Sequence, residues 1–376
     1  MFFVLIAVAV GILLVLELFY FRHAIGKALV YWGCVPSSKR TVIIKYSAAS
    51  VLMGISIAIF TVPGLMVLHF LLVSILTEVV CLFIKLIARK ELRFTKFVSS
   101  TLIVPLIIAI FIVIYGYINM HNIKATVYDI ETNKNLERDY KIVFLSDLHV
   151  GVSIDFDKLE EISQEISDLS PDMLLLGGDI VDESTTKEQM QQALKILGAV
   201  KTVYGVFYID GNHDIPRSDE LENDDFSAED LNNSLMQAGI TVLRDKVIDI
   251  NNDLVLIGHR DASFRGNEEI TSRLTIEELM SKADKTKFSI LLDHQPREYE
   301  RCKNAGVNLM LSGHTHAGQL WPASWFTTLV APNEQNYGIE TDGEFSAIVS
   351  SGIAGWSFPI KTEKHAEYVI VNISSY

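Results

Sequence analysis

The first 120 residues consist mostly of apolar runs long enough to cross a lipid bilayer. Residues 2–21 contain one acidic residue and no basic one, and residues 47–88 are almost continuously apolar. Hydrophobic stretches of about 18 or more residues with few charges are typical of transmembrane helices. The second run is too long for one crossing, and Pro63-Gly64 divides it. The pattern therefore predicts four spans, at about 2–21, 46–62, 65–87 and 97–118, with Pro105 tolerated as a kink in the last.

Charge is divided sharply between the two parts of the chain. Residues 1–120 carry a net charge of +7, whereas residues 121–376 carry −21. The basic residues of the first part fall in two loops. They are Arg22, Lys27, Lys39, Arg40 and Lys45 between the first and second spans, and Lys85, Arg89, Lys90, Arg93 and Lys96 between the third and fourth. Because basic loops stay on the cytoplasmic side, we expect a multi-pass protein of the cell membrane with residues 121–376 extracytoplasmic. The lipid bilayer is then a partner, and the acidic balance argues against nucleic acid, which binds basic surfaces.

After residue 120 the pattern changes to short apolar strands that alternate with amphipathic helices. Residues 140–147 and 172–179 are typical of buried strands, and residues 156–169 and 186–199 have apolar positions at helical spacing. This alternation predicts an α/β domain with buried sheets over residues 121–376. Only one of the three cysteines, Cys302, lies in this region, so neither a disulfide framework nor a thiolate zinc site is expected.

Asp, Asn or His residues follow each of five apolar strands in this region. They are Asp147 and His149 in "SDLH", Asp179 in "GGD", Asn212, His213 and Asp214 in "GNHD", His294 in "DHQP", and His314 and His316 in "GHTH". Ligands in α/β sheets bind beyond the carboxyl ends of the strands, so one crevice can collect these side chains. Carboxylate and imidazole ligands suit divalent Mn, Fe, Zn or Co. Without His213 and Asp214 the set holds seven ligands, which suits two ions about 3.5–4 Å apart that share a carboxylate.

The series D-x-H, G-D, G-N-H-D, H and G-H-x-H, in this order, strongly resembles the calcineurin-like metallophosphoesterase superfamily over about residues 140–373. The segments "LSGHTHAGQ" and "GIAGWSFPIK" resemble a bacterial, membrane-tied branch of it. That branch includes enzymes that cleave UDP-diacylglucosamine and secreted Bacillus-type phosphoesterases, and it often has arginine where this chain has Lys361. The resemblance implies a two-sheet sandwich flanked by helices.

The resemblance also implies a role for each residue of the series. Asp147, His149 and His316 would bind a first metal ion, Asn212, His294 and His314 would bind a second, and Asp179 would bridge both. His213 would face the scissile phosphoester, and Asp214 would orient His213. Two such ions activate a water molecule and neutralise phosphoryl charge, while a protonated imidazole can donate to the leaving oxygen.

These observations predict a membrane-anchored, metal-dependent hydrolase of phosphoric ester or diphosphate bonds. The anchor favours a phosphodiester or pyrophosphate substrate, including a lipid-linked or envelope one. Two other classes are alternatives: a catalytically silent scaffold or regulator that keeps the fold, and a transporter or receptor whose globular part is a sensor. The sequence assigns no oligomeric state.

Two further segments each have two interpretations. The aromatic-rich loop 320–332 forms either a wall that faces lipid or a substrate tail, or a part of the core beneath the site. The stretch "GHRD" at 258–261 also follows a strand. It either brings a side chain to the substrate phosphate or is a surface loop.

Overall fold

The chain folds into two units, Met1–Gly116 and Tyr117–Tyr376, named here the helical unit and the sheet unit. The computed structural model describes residues 2–214, 225–264, 272–325 and 333–376, with side chains from residue 10 onward. Five helices precede the first strand. They are α1 Phe2–Tyr31, α2 Lys39–Ser56, α3 Val62–Ala88, α4 Arg93–Thr101 and α5 Ile103–His121.

Two N-caps set helix boundaries that differ from the predicted span 46–62. Ser38 caps α2, which therefore begins seven residues before that span and ends before it does. Thr61 caps α3, and Pro63 lies in its first turn. Serine and threonine are favoured N-caps, and proline is tolerated at the start of a helix because its missing N–H has no partner there. The bounds 46–62 are therefore wrong, and the division at Pro63-Gly64 marks the beginning of α3.

The predicted span 97–118 is also divided. Leu102 has φ +61° and separates α4 from α5. Pro105 is the third residue of α5, where the absence of a backbone N–H removes no intrahelical hydrogen bond. The kink predicted at Pro105 is therefore wrong, since the chain changes direction before the proline.

Among the described residues, two helices are long and apolar enough to cross a membrane by length and composition, namely α3 and α5. Helix α2 carries Lys39, Arg40 and Lys45 within its 18 residues, which lowers its hydropathy. Helix α1 is longer, but the side chains of residues 2–9 lie outside the described part of the chain. The prediction of four spans is therefore not confirmed.

Two six-stranded sheets form the framework of the sheet unit, with the orders β1-β12-β2-β3-β4-β5 in sheet 1 and β10-β11-β9-β8-β7-β6 in sheet 2. The strands of sheet 1 are β1 Lys124–Thr132, β2 Tyr140–Leu145, β3 Met173–Leu176, β4 Val206–Tyr208, β5 Thr241–Val242 and β12 Glu367–Ser375. Those of sheet 2 are β6 Lys246–Asp249, β7 Leu254–Gly258, β8 Phe288–Leu292, β9 Leu309–Ser312, β10 Gly338–Asp342 and β11 Phe345–Val349. The helices of this unit are α6 Phe156–Asp168, α7 Lys187–Gly198, α8 Ala228–Gln237, α9 Ile276–Met280 and α10 Tyr299–Ala305.

Side chains alternate between the two faces of sheet 1, as the period of a strand requires. In β2, Ile142 and Phe144 belong to a buried cluster shared with sheet 2, where Leu256 is a member. Val143 and Leu145 face a second cluster that includes residues of α6, α7 and α8. Complete burial of one such side chain contributes roughly 1.5–3 kcal/mol. A third cluster joins α9 and α10 to sheet 2, so the predicted α/β two-sheet sandwich flanked by helices is confirmed.

Parallel pairing aligns the strand ends that precede the polar motifs. In sheet 1, β2 pairs with β3 and β3 with β4 in parallel, and in sheet 2 β8 pairs with β9 in parallel. Carboxyl ends of neighbouring parallel strands meet at one edge of their sheet. The loops that follow β2, β3, β4, β8 and β9 therefore start from two short sheet edges.

Candidate metal centre

The loops after these five strands carry the predicted ligands in an unusual backbone conformation. Five of the seven have positive φ: Asp147 (+57°), His149 (+41°), Asp179 (+52°), His314 (+71°) and His316 (+49°). Left-handed φ is uncommon for residues with a Cβ, although Asp and His tolerate it better than most. Such strain costs roughly 1–3 kcal/mol per residue and is concentrated at functional sites. The strained turns therefore orient the predicted ligands, and the strain raises the energy of the local backbone.

Close approach of backbone to ligand explains the glycines next to these residues. A Cβ on Gly313 would lie 2.3 Å from Asp147 Oδ2, and one on Gly211 would lie 2.1 Å from Asp179 Oδ1. Neither position can hold a larger residue without moving a carboxylate of the centre.

The first group of ligands comprises Asp147, His149 and His316, whose ligand atoms all lie within 4.8 Å of one another. His149 Nε2 lies 3.2 Å from His316 Nε2, which in turn lies 3.5 Å from Asp147 Oδ1. Two imidazoles bound to one ion at about 2.0–2.1 Å have their nitrogens about 2.9–3.4 Å apart, so the observed separation fits one shared ion. Asp147 Oδ2 is buried without a hydrogen-bond partner among the described residues.

The second group comprises Asp179, His294 and His314, again with ligand atoms within 4.8 Å. His294 Nε2 lies 3.0 Å from Asp179 Oδ2. Asn212 is flanked by two residues that lie against Asp179. Gly211 approaches the Asp179 side chain closely, and the backbone N–H of His213 donates to Asp179 Oδ1 at 2.9 Å. Within the described part of the chain, Asn212 Oδ1 is buried with no hydrogen-bond partner. A cation that accepts oxygen and nitrogen ligands fits this second group also.

The Asp179 carboxylate lies between the two groups. Its Oδ2 is 3.8 Å from His149 Nε2 in the first group and 3.0 Å from His294 Nε2 in the second. The structure thus brings six of the seven predicted ligands into two clusters that meet at Asp179, with Asn212 beside them. Their assignment as metal ligands stays a prediction.

The outer nitrogen of His294 has a hydrogen-bond acceptor, whereas that of His149 lies near a carboxylate but beyond hydrogen-bond distance. His149 Nδ1 lies 3.6 Å from Asp182 Oδ2, and His294 Nδ1 lies 2.8 Å from the carbonyl oxygen of Gly177. Metal-binding histidines commonly direct their second nitrogen to a carboxylate or carbonyl, which fixes the tautomer and leaves Nε2 for the ion. Asp182 was not predicted from the sequence, although "GGDIVDE" places it three residues after Asp179.

Burial and buried carboxylates determine the charges of the centre. Burial lowers the pKa of His314 to about 3, and His294 adds to that lowering. Burial and the neighbouring His149 bring the pKa of His316 well below its ordinary value. Both rings are therefore neutral, the form that binds metal. Burial also opposes charge on His294, but Asp179 raises its pKa well above the usual range, so the negative charge at Asp179 attracts a cation or a proton.

Asp214 does not hold the ring of His213 as expected. Its Oδ2 accepts the N–H groups of Asp179 at 2.6 Å and Gly211 at 2.7 Å, and its Oδ1 accepts those of Ile180 at 2.9 Å and Val181 at 3.0 Å. A fully buried carboxylate with four backbone donors ties the loop after β3 to the loop after β4. Asp214 therefore positions the backbone of Asp179.

Glu183 is the partner of the His213 ring. Glu183 Oε1 lies 2.7 Å from His213 Nδ1, and the rings of His213 and Trp356 have centroids 5.5 Å apart. Burial lowers the pKa of His213, but the bond to Glu183 and the charge of Asp179 more than compensate, so the pKa is raised. The sequence signal for Glu183 is its place directly after Asp182, which had not been singled out.

Lys361, His259, Arg260 and Asp261 are all buried. The Lys361 side chain is fully buried, and its ammonium donates to the carbonyl oxygens of Ser351 and Gly352. His259 is fully buried too, with Nδ1 2.9 Å from Asp293 Oδ2 and Nε2 2.8 Å from the carbonyl oxygen of Leu274. Both nitrogens are engaged, so neither phosphate contact nor a surface loop describes this segment correctly.

The aromatic-rich loop 320–332 is described in part. Trp325 is 65% exposed, and its ring centroid lies 6.1 Å from that of Trp321. Phe326 lies outside the described residues. The interpretation that Trp325 packs in the core is wrong.

Comparison with known proteins agrees with the series of motifs. Residues 140–318 match the family model described as calcineurin-like phosphoesterase. An uncharacterized metallophosphoesterase of Aquifex aeolicus is 30% identical over 274 residues, which cover 71% of this chain and 97% of that protein. The chain therefore belongs to the calcineurin-like metallophosphoesterase family.

Two other relatives are matched over part of their length. An uncharacterized metallophosphoesterase of Helicobacter pylori strain J99 is 31% identical over 230 residues, which are 60% of this chain and 57% of that protein. A transmembrane protein with metallophosphoesterase domain from Danio rerio is 27% identical over 241 residues, or 61% of this chain and 53% of that protein. The chain thus spans little more than half the length of these two relatives.

The position of Asp179 leads to a prediction about metal content. We expect Asp179→Asn to lower the metal bound by the full chain from two ions to one or fewer, because the amide is neutral and offers a single acceptor oxygen. Elemental analysis of detergent-purified protein, loaded with Mn²⁺ and desalted, measures this. Asp157→Asn, on the exposed first turn of α6, removes the same charge as a control. Two ions retained by the Asp179 variant would contradict a bridging role.

Proposed function

We propose that this protein is a membrane-anchored phosphoesterase that uses two divalent metal ions to hydrolyse a phosphodiester or pyrophosphate bond. One observation carries the proposal. Asp179 Oδ2 lies within 3.8 Å of an imidazole nitrogen in each of the two ligand groups. Membership of a phosphoesterase family supports the reaction class. A catalytically silent scaffold is the alternative, and it requires no metal at either group.

The proposed ligand sets are those that the family resemblance implies, and the two clusters of Asp and His residues support them. Asp147, His149 and His316 would hold the first ion, Asn212, His294 and His314 the second, and Asp179 both. Nitrogen and oxygen ligands without thiolate suit Mn, Fe, Zn or Co. Such a pair of ions, when bound, supplies a deprotonated water near neutral pH and neutralises the phosphoryl oxygens.

His213 is the proposed proton donor to the leaving oxygen. Its Nδ1 is engaged by Glu183 Oε1 at 2.7 Å, which leaves Nε2 as the nitrogen available to substrate. The negative charge of Glu183 favours the protonated ring. Asp214 contributes indirectly, because it fixes the loop that carries His213 against the loop that carries Asp179.

The membrane part of the proposal rests on the helical unit. We infer a multi-pass anchor with the sheet unit on the extracytoplasmic side. Helices α3 and α5 have the length and hydropathy of spans. A relative named as a transmembrane protein with metallophosphoesterase domain supports the combination. A catalytic unit tied to a bilayer favours a lipid-linked or envelope substrate.

Activity of the metal-loaded protein tests the reaction. Full-length protein in detergent, stripped by chelator and reloaded with Mn²⁺, should hydrolyse bis-p-nitrophenyl phosphate faster than p-nitrophenyl phosphate. Activity should vanish without metal and in Asp179→Asn, and persist in Asp157→Asn. Two bound ions without cleavage of either ester would favour the silent scaffold. Faster hydrolysis of p-nitrophenyl phosphate than of the diester would contradict the preference for phosphodiesters.

The role of His213 gives a second test. General acid catalysis typically contributes about 10²–10⁴ in rate, so His213→Asn should lower kcat by roughly that factor with the metal content unchanged. The loss should be larger for a phenyl ester than for a p-nitrophenyl ester, because the poorer leaving group needs the proton more. Glu183→Gln should show the same pattern with a smaller loss. Equal losses for both esters would exclude proton donation.

The orientation can be tested with an epitope tag after Tyr376, whose side chain is 83% exposed. In bacterial spheroplasts, protease added outside should remove the tag from intact cells, because positive loops are retained in the cytoplasm. A cytoplasmic protein checks that the spheroplasts are sealed. If the tag is protected until the cells are lysed, the sheet unit lies in the cytoplasm and the proposed orientation is wrong.

A further inference from the structure

A cavity of about 630 Å³ within the helical unit is lined mainly by basic and hydroxyl side chains. Residues of α1, α2 and α4 enclose it. The lining residues used below are Arg22 and Lys27 of α1, Thr41 and Lys45 of α2, and Lys96 and Ser100 of α4. We name this feature the basic cavity.

Positive charge in the basic cavity is poorly compensated by the protein. No Asp or Glu is among its lining residues. Lys27 has a partner outside the lining, since its ammonium lies 2.7 Å from Glu78 Oε1. Within the described part of the chain, no carboxylate forms an ion pair with Arg22, Lys45 or Lys96. Three like charges thus face one space without a counter-ion from the chain.

Arg22 is held in place while part of its guanidinium is left unsatisfied. Its Nη1 donates to Tyr46 Oη at 2.8 Å, and its Cζ lies 5.4 Å from the Phe19 ring and 5.3 Å from the Tyr46 ring. Its Nε is buried and has no hydrogen-bond partner among the described residues. A buried donor without an acceptor is costly, and the described residues supply no acceptor for it.

The basic cavity lies where apolar sequence gives way to charged sequence. Arg22 directly follows the apolar run 2–21, and Lys45 and Lys96 belong to the two loops expected on the cytoplasmic side. The retention of a loop in the cytoplasm depends only on how many basic residues it contains. It does not require that they converge on one cavity, and Lys39 and Arg40 of the same loop are exposed and do not line it.

We propose that the basic cavity binds the phosphate headgroup of an anionic membrane lipid. Basic pockets between membrane helices recognise such headgroups through charge. Its volume lies within the range of roughly 300–1,000 Å³ that small-molecule sites occupy. Thr41 and Ser100 add hydroxyl donors to the ammonium and guanidinium groups. The site is distinct from the metal centre, and it rests on the membrane anchoring of the proposed function but not on catalysis.

The test uses full-length protein in a neutral detergent and a fluorescent phosphatidylglycerol, with fluorescent phosphatidylcholine as the zwitterionic comparison. Phosphatidylglycerol should bind more tightly. Lys45→Gln with Lys96→Gln should weaken its binding by about 25-fold, at roughly fivefold per basic residue. Lys39→Gln with Arg40→Gln removes two charges from the same part of the chain and should change binding by less than about twofold. Lys45→Arg with Lys96→Arg should retain it.

Three results would overturn the proposal. Equal affinity for the two lipids would mean that charge is not recognised, and an equal loss in both double variants would mean diffuse attraction rather than a site. Displacement of the lipid by millimolar inorganic phosphate would assign the cavity to a soluble anion.

Hydrolysis of bis-p-nitrophenyl phosphate, measured on each variant, should be unchanged, which shows that the variants fold. Lipid binding without hydrolysis would contradict the proposed function alone, and hydrolysis without lipid selectivity would contradict this site alone.

Discussion

The carboxylate of Asp214 accepts four backbone N–H groups, and the arrangement of the metal centre depends on these bonds. Asp179 adopts a left-handed φ of +52°, a conformation that costs roughly 1–3 kcal/mol. Hydrogen bonds to a charged group contribute roughly 1.5–3 kcal/mol each. Four of them oppose the strain at Asp179 and the burial of the Asp214 charge, although burial and the charge of Asp179 still raise the pKa of Asp214 to about 6. The Asp179 carboxylate is therefore directed by Asp214, which holds the backbone on both sides of the centre.

The sheet sandwich was predictable because its signals are local. Runs such as 140–145 are apolar at every position except Lys141, which is typical of strands buried on both faces. Strand order was not predictable, since β12 lies between β1 and β2 although hundreds of residues separate them. Helix boundaries in the helical unit were missed for the opposite reason. Single capping residues, Ser38 and Thr61, decide them, and uniformly apolar sequence has no periodicity to reveal the start of a helix.

The residues that gather at the centre were predictable because metal ligands are limited to a few residue types and follow strands. Their supporting contacts were not. Glu183 reaches His213 across two loops, so only the fold brings the pair together. His259 is likewise a buried histidine just after a strand, with its nitrogens at Asp293 and the carbonyl oxygen of Leu274, but it does not belong to either group of candidate ligands. Residue type and position therefore select candidates, and only the fold shows which of them gather into groups that could hold an ion.

The position of β12 has a consequence for the order of events during synthesis. Residues 367–375 pair with β1 in parallel and with β2 antiparallel, so they connect the edge strand β1 to the rest of sheet 1. Until they leave the ribosome, β1 and β2 have no common neighbour, and Ile142 and Phe144 lack the Val369 and Val371 against which they pack. Pairing of β1 with the rest of sheet 1 therefore waits until residues 367–375 have been made.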